Sequence, residues 1–272
     1  MAIKLIATDM DDTLLNSKVE VSPRNQAALK AAKDAGIIMM IATGRMFVSA
    51  QAYAKRLGMD VPLVTYNGGL VKGSISEKVY YEGKLKLETA QDILAYCQEK
   101  GYYVQVYRDD NLYIDTPNEF SAKYMSIARV TPHAIGAELY KPQAAPNKLL
   151  IMTSAEDFDT AWQDIATRFE GRVDVTSSKI NFLEIMEPGV NKWNAVKTVG
   201  AMYNIKPEEI MCIGDSNNDL SMIQNAGIGV AVANANETVR KAAKIVTADH
   251  DADGVALVIE QILTKQIEVP EV

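Results

Sequence analysis

The chain has 272 residues, enough for one large domain or two smaller ones. Hydrophobic residues make up 48% of it and charged residues 23%, a composition typical of a globular protein with a sizeable core. The formal net charge of -7 argues against nucleic acid as a partner, since such binding calls for Lys and Arg clustered on one face.

Signals for export or membrane insertion are weak. The longest apolar run, residues 37–42, is too short to span a bilayer, and the N-terminus reaches Asp9 without the long apolar stretch of a signal peptide. The two cysteines, Cys97 and Cys212, lie far apart and do not indicate a disulfide framework. These features predict a cytoplasmic protein with no membrane partner.

The first third of the chain alternates short apolar runs with helical stretches. Strands are predicted at 3–7, 37–42 and 61–65. A helix begins at Ser22-Pro23, with Ser as N-cap and Pro in the first turn, and ends at Gly36. A second helix is predicted from 47 to 57.

The middle of the chain has a different pattern. Apolar stretches at 102–107 and 112–114 flank Asp109-Asp110-Asn111, which predicts a hairpin. Further strands are predicted at 148–152, 173–175 and 182–186, with helices at 90–100 and 156–169. Residues 84–187 therefore form a predicted inserted α+β domain.

The last part returns to the first pattern. Strands at 210–213, 228–232 and 245–247 alternate with helices at 219–225, 237–243 and 255–263. Solid apolar strands that alternate with helices indicate a parallel sheet buried on both faces. We therefore predict an α/β core domain made of residues 1–83 and 188–272, interrupted by the inserted domain.

Three predicted core strands end in polar loops. The loops are Thr8 to Thr13, Thr43-Gly44-Arg45, and Gly214 to Asp219. Ligands of open parallel sheets bind beyond the carboxyl ends of the strands, so the three loops are candidates for one shared crevice. Each loop alone is explained as well by an ordinary turn, and it is their combination that favours a functional site.

These loops carry five carboxylates: Asp9, Asp11, Asp12, Asp215 and Asp219. So many like charges require a cation or proton uptake when they lie close together. Oxygen ligands indicate a hard cation, and a few carboxylates combined with a substrate phosphate are typical of Mg2+. The two histidines, His133 and His250, lie outside the loops, which argues against zinc.

The loops together resemble the haloacid dehalogenase-like (HAD) superfamily. The stretch Asp9-Met10-Asp11-Asp12-Thr13-Leu14 resembles motif I of this superfamily, and Thr43-Gly44-Arg45 resembles motif II. Lys192 resembles motif III, and the stretch from Gly214 to Asp219 resembles motif IV. Tyr66-Asn67-Gly68-Gly69 and Val190-Asn191-Lys192 are similar to flanking signatures of the Cof subfamily, and the insertion is similar to its C2-type cap. The resemblance implies a Rossmann-like parallel-sheet HAD core with an inserted α+β cap.

The resemblance also implies an activity. It indicates a magnesium-dependent phosphatase that hydrolyses small phosphorylated metabolites, with sugar phosphates as the expected class. Asp9 would be the nucleophile that forms an aspartyl-phosphate, and Asp11 the general acid and then the general base. Asp9, Asp215 and the backbone carbonyl of Asp11 would bind Mg2+, while Asp219 would orient a ligand water or Lys192.

The residues implied to contact the substrate are Thr43, Gly44, Arg45, Lys192 and Asn218. Lys192 would neutralise the transferring group, and Asn218 would donate a hydrogen bond to it. Pairing inside the core remains an equal alternative for Arg45, and a left-handed turn remains the favoured explanation of Asn67. The inserted cap would supply specificity.

Two residues depart from the family pattern. Asp12 stands where Gly is common, and Trp193 follows Lys192 where Gly is usual. Neither change removes a catalytic group, but Trp193 either alters the path of its loop or packs as core.

Three other readings stay open. A signalling receiver domain shares the aspartyl-phosphate, although receivers are much shorter and place the phosphoacceptor after a later strand. A phosphomutase would use the same motifs, and a non-catalytic relative would bind metabolites without turnover.

Overall fold

The computed structural model describes residues 2–177, 179 and 181–265. Strands of these residues are, in chain order, β1 (Leu5–Asp9), β2 (Ile38–Ala42), β3 (Pro62–Thr65), β4 (Leu70–Gly73), β5 (Val79–Glu82), β6 (Tyr103–Arg108), β7 (Asn111–Ile114), β8 (His133–Ala134), β9 (Lys148–Met152), β10 (Asp174–Thr176), β11 (Phe182–Met186), β12 (Ile210–Gly214), β13 (Ile228–Ala231) and β14 (Ile245–Val246). The α-helices are α1 (Pro23–Asp34), α2 (Phe47–Lys55), α3 (Leu87–Lys100), α4 (Glu119–Ala128), α5 (Phe158–Arg168), α6 (Lys192–Met202), α7 (Leu220–Asn225), α8 (Glu237–Ala242) and α9 (Gly254–Leu263).

The first of two compact units contains residues 2–44, 50–81 and 191–265. Its eight-stranded sheet has the order β14-β13-β12-β1-β2-β3-β4-β5. β1 runs parallel to both β2 and β12, so the chain order reverses between β1 and β12. Such a switch point is where open α/β sheets bind ligands, and it lies where the predicted loops begin. The predicted α/β fold with a parallel sheet is confirmed.

Local sequence signals explain most of this unit. The central strands β1 and β12 are buried at every residue, as their continuous apolar runs require. α1 begins at Pro23, and the hydroxyl of Ser22 accepts a hydrogen bond from the backbone N–H of Asn25 at 3.0 Å. The predicted start of this helix is therefore confirmed.

Three features of the unit differ from the sequence prediction. β1 extends to Asp9 instead of ending at residue 7, because Asp9 still pairs in register with Ala42 of β2. β4 runs antiparallel to β3 and forms a hairpin with β5, which the pattern of a parallel sheet did not indicate. α6 was also not predicted, although Asn191 caps it by accepting a hydrogen bond from the backbone N–H of Asn194.

The second unit contains residues 45–49, 82–177, 179 and 181–190. Its six-stranded sheet has the order β10-β11-β9-β6-β7-β8 and is antiparallel except for the β7–β8 pair. One buried cluster joins Ile93 of α3 and Ile165 of α5 to Val104, Leu149 and Ile185 of the sheet. The limits 84–187 predicted for the inserted domain stay a prediction.

The second unit also contains ring contacts around α4, a helix that the sequence analysis did not predict. The ring centroid of Tyr124 lies 6.0 Å from the ring centroid of Tyr107 and 6.1 Å from that of Phe182. Tyr107 and Tyr124 are both buried, so these two tyrosines act as packing residues. Among the residues that the structure describes, none of the helices is long and apolar enough to cross a membrane.

Candidate active site

Asp9 is the last residue of β1 and leads into a kinked helical turn, Met10–Leu14. The backbone N–H of Leu15 closes this turn by donating to the carbonyl of Met10 at 2.9 Å. Inside the turn Asp11 has an extended backbone, and Asp12 has a left-handed conformation with φ of +57°. A left-handed backbone suits Gly best, and Asp is one of the few other residues that adopt it readily, so Asp12 fits this position.

Lys192 is the first residue of α6, and its side chain joins two carboxylates. Its Nζ lies 2.5 Å from Oδ1 of Asp9 and 2.6 Å from Oδ1 of Asp219. The side chain is fully buried. Burial opposes its charge, but the carboxylates of Asp219 and Asp9 outweigh burial and raise the pKa of Lys192. Lys192 is therefore an ammonium ion at neutral pH, held against the predicted nucleophile.

Trp193 packs as core. It belongs to the buried apolar cluster that also contains Leu5, Val64 and Val196. Lys192, the residue before it, nevertheless reaches Asp9. The sequence left two alternatives for Trp193, an altered loop path or packing in the core, and the structure has the second.

The loop after β12 is built around Asp219. One oxygen of its carboxylate, Oδ2, accepts hydrogen bonds from the backbone N–H groups of Asp215 at 3.0 Å and Ser216 at 3.1 Å. Gly214 permits this approach, because a Cβ at residue 214 would lie 2.5 Å from Cγ of Asp219. The hydroxyl of Thr13 donates to Oδ1 of Asp215 at 2.9 Å, which joins this loop to the turn after β1.

Asp9, Asp215 and Asp219 each offer a carboxylate oxygen within 4.8 Å of the others. Burial raises the pKa of Asp9 well above its ordinary value; Lys192 opposes this shift, and the neighbouring carboxylates add to it. Burial, followed by the charge of Asp219, raises the pKa of Asp215 to about 7. Three carboxylates against one ammonium leave an excess of negative charge, which a divalent cation would balance. The donor atoms are oxygens, so the cluster fits a hard cation.

Asn67 joins the loop after β2 to the loop after β12. Its backbone N–H donates to the carbonyl of Thr43 at 3.1 Å, and its side-chain oxygen accepts from Nδ2 of Asn218 at 3.0 Å. Asn67 has φ of +55°, the left-handed backbone that the sequence favoured. The backbone N–H of Thr43 donates to Val64 at 2.8 Å, so Thr43 and Gly44 follow β2 along a path fixed by β3. The sequence did not indicate this bridging role of Asn67.

Arg45 belongs to the second unit by its packing. It is buried, and its Nη1 donates to the hydroxyl of Ser49 at 3.2 Å. This internal hydrogen bond fits the alternative in which Arg45 pairs within the fold. Contact between Arg45 and substrate stays a prediction.

Comparison with known proteins agrees with this geometry. A family described as haloacid dehalogenase-like hydrolase matches residues 6–259. The chain belongs to this family. The predicted membership of the HAD superfamily and its Cof subfamily is confirmed. The match spans both sequence segments of the predicted core and the insertion between them, which argues against a receiver domain.

Named relatives resemble the chain over nearly its whole length. The 5-amino-6-(5-phospho-D-ribitylamino)uracil phosphatase YwtE of Bacillus subtilis is 29% identical, over 97% of this chain and 99% of its own. A solved haloacid dehalogenase-like hydrolase from Bacteroides thetaiotaomicron has a TM-score of 0.84 and 30% identity, covering 96% of this chain and 99% of its own. A sugar phosphatase of HAD subclass IIB has a TM-score of 0.82 and 25% identity, covering 95% and 98%. These relatives support a phosphatase enzyme, as predicted.

Proposed function

We propose that this protein is a magnesium-dependent phosphatase that hydrolyses small phosphorylated sugars or polyols through an aspartyl-phosphate on Asp9. The observation that carries the proposal is the buried contact of Lys192 with Asp9 at the end of β1, beside Asp215 and Asp219. A lysine held 2.5 Å from a carboxylate places positive charge where a transferring phosphoryl group would sit during attack by that carboxylate.

The first step forms the intermediate. An oxygen of Asp9 attacks phosphorus, and the bond between phosphorus and the ester oxygen breaks. The departing alkoxide needs a proton, which Asp11 supplies from the turn that follows β1. Lys192 offsets the negative charge of the transferring group as a fixed ammonium.

The second step releases phosphate. Asp11, now a carboxylate, takes a proton from a water molecule that attacks phosphorus, and the bond to Asp9 breaks. Inorganic phosphate leaves, and Asp9 and Asp11 return to their starting states. Thr43, the backbone amide of Gly44 and Asn218 are the groups that we expect to hold the phosphate oxygens, since Asn67 ties their two loops together.

Asp9, Asp215 and the carbonyl of Asp11 would hold Mg2+. When bound, the ion would offset negative charge on the phosphate and keep Asp9 ionised. Asp219 is placed to support the site, because one of its oxygens accepts from Lys192 and the other from two backbone amides. This arrangement favours its predicted role in orienting Lys192.

The substrate class is supported by two relatives. One is named for a phosphorylated ribityl compound and another as a sugar phosphatase, and both substrates are phosphate esters of polyhydroxylated molecules. We extend this class to the present chain, with the second unit as the source of specificity. A cytoplasmic location, with no nucleic-acid or membrane partner, stays a prediction.

The test measures release of inorganic phosphate from sugar phosphates, polyol phosphates, nucleotides and p-nitrophenyl phosphate, with Mg2+ or with EDTA. Asp9→Asn should abolish turnover. Wild type quenched in acid during turnover should show the mass increase of a phosphoenzyme, and Asp9→Asn should not. Asp34→Asn is the matched control, because Asp34 is an exposed residue of α1 paired only on the helix surface with Lys30.

Three outcomes are informative. Magnesium-dependent release that is lost in Asp9→Asn and kept in Asp34→Asn supports the mechanism, and the ranking of esters describes specificity. Isomerisation of a sugar phosphate without release of phosphate would assign a mutase instead. No reaction with any ester, from folded protein that binds Mg2+, would refute the proposal.

A further inference from the structure

Three residues outside the motif loops contact the turn after β1 and the residues that directly follow it. We call Asn234, His250 and Asp251 the bracket residues. Nδ2 of Asn234 donates to the carbonyl of Asp12 at 2.7 Å. Nδ1 of His250 donates to the carbonyl of Leu15 at 2.9 Å, and the carboxylate of Asp251 accepts from the backbone N–H and the hydroxyl of Ser17.

The bracket residues are themselves connected. The backbone N–H of His250 donates to Oδ1 of Asn234 at 3.0 Å, so the amide of Asn234 lies between the turn and the residues before α9. Two residues after Asn234, the backbone N–H of Asn236 donates to the carbonyl of Asp215 at 3.0 Å. The loop after β13 therefore contacts both acidic loops of the site, through Asn234 on one and Asn236 on the other.

The contact to Asp12 matters for Asp11. Asp11 lies between the end of β1 and a left-handed residue, and the peptide plane after Asp12 is the one that Asn234 holds. Rotation of this plane would redirect Asp12 and, with it, the extended residue before it. Displacement of a catalytic group by about 1 Å can lower a rate by about a hundredfold.

We propose that Asn234 is a positioning residue for Asp11: it fixes the turn so that the Asp11 carboxyl meets the leaving oxygen. The inference rests on the proposed function. It concerns the carboxyl of Asp11 and not the attacking carboxylate, because Lys192 holds Asp9 independently.

A positioning role of Asn234 can be distinguished from a contribution to the stability of the fold. Asn234 and Asp12 are both exposed to solvent, so water can replace the lost hydrogen bond in Asn234→Ala at little cost to folding. The variant should unfold at the same temperature as Asn225→Ala. Asn225 is the matched control, an exposed asparagine whose side chain bonds only locally, to the carbonyl of Ser221 in α7.

The test compares aryl phosphates of one shape and different leaving-group acidity, from p-nitrophenyl to p-methoxyphenyl phosphate, by kcat/KM. An acidic phenol leaves without a proton, whereas a basic phenol requires the general acid. Asn234→Ala should keep kcat/KM for p-nitrophenyl phosphate within about twofold of wild type and lose about tenfold or more for p-methoxyphenyl phosphate. Asp11→Asn should show the same dependence more steeply, and Asn225→Ala should match wild type.

A second variant covers a failure of Asn234→Ala to fold. Asn234→Asp keeps an acceptor for His250 but turns a carboxylate oxygen toward the carbonyl of Asp12, and it should show at least the same loss for the basic phenol. An equal loss on all esters, or no loss in either variant, while Asp11→Asn behaves as expected, would overturn the inference. If wild type releases phosphate neither from these aryl esters nor from the sugar and polyol phosphates, or if Asp11→Asn shows no such dependence, the proposed function is what fails, and the inference falls with it.

Discussion

The buried lysine provides the sharpest test of the site. Lys192→Met removes an ammonium that lies within 2.6 Å of two buried carboxylates, Asp9 and Asp219. Breaking a buried ion pair by removing one partner typically costs about 3–5 kcal/mol, because the remaining charge has no counterion. A typical protein has about 5–15 kcal/mol of stability in total, so the change should be large and still leave a folded protein to measure.

The double variant Lys192→Met/Asp219→Asn separates ion pairing from packing. Removal of the second charge should restore part of the stability. The losses in unfolding free energy of Lys192→Met and Asp219→Asn, added together, should therefore exceed the loss in the double variant by about 2 kcal/mol. Activity should not return, because the phosphoryl group still lacks its cation, and each variant should lose about a hundredfold or more in kcat.

Urea unfolding in EDTA, followed by circular dichroism, measures the stabilities, and release of inorganic phosphate measures activity. Lys197→Met is the matched control, since Lys197 is an exposed residue of the same helix. It should change stability by less than about 0.5 kcal/mol. Additive losses in the double variant, or a Lys192→Met protein as stable as the control, would refute the ion-pair reasoning.

Two further predictions concern the loop after β12. Gly214→Ala would place a Cβ 2.5 Å from Cγ of Asp219, so we expect about 1–3 kcal/mol of destabilisation and a large loss of phosphate release; wild-type activity would contradict the geometry. The second concerns pH. Burial raises the pKa of Asp215 from 3.8 to about 7, so without metal its contribution to stability should be fully present below about pH 4 and be lost as the pH rises through about 7. Thermal unfolding in EDTA should therefore show wild type losing stability relative to Asp215→Asn over this range; Mg2+ should reduce that loss, and a difference between the two proteins that does not change with pH would contradict the prediction.

The position of the site could be predicted from the sequence because two signals coincide there. Strands buried on both faces are continuous apolar runs, and the acidic loops begin where those runs end. Asp9 therefore ends β1 and Asp215 directly follows the neighbouring strand β12, at the switch point of the sheet. The polar ends of these strands thus predicted that carboxylates would cluster there, as Asp9, Asp215 and Asp219 do.

The contacts of Lys192 could not be predicted in the same way. Lys192 and Asp9 are 183 residues apart, and their meeting depends on α6, a helix that the sequence analysis did not predict. Its signals were present in the cap at Asn191 and in the buried spacing of Val196 and Val199. The bracket residues left no such signal, because an exposed asparagine and an exposed turn have the sequence pattern of any loop.

The contacts of the three clustered carboxylates divide their roles. Asp219 uses Oδ1 for Lys192 and Oδ2 for two backbone amides, so its charge is already compensated by donors of the fold. Burial raises the pKa values of Asp9 and Asp215, and the neighbouring carboxylates add to the shift, although Lys192 opposes it at both. A cation bound between Asp9 and Asp215 would favour their ionised forms. Under the proposed function, Asp219 would stabilise Lys192 while the ionisation of Asp9 would depend on the metal, and this would couple formation of the aspartyl-phosphate to the presence of Mg2+.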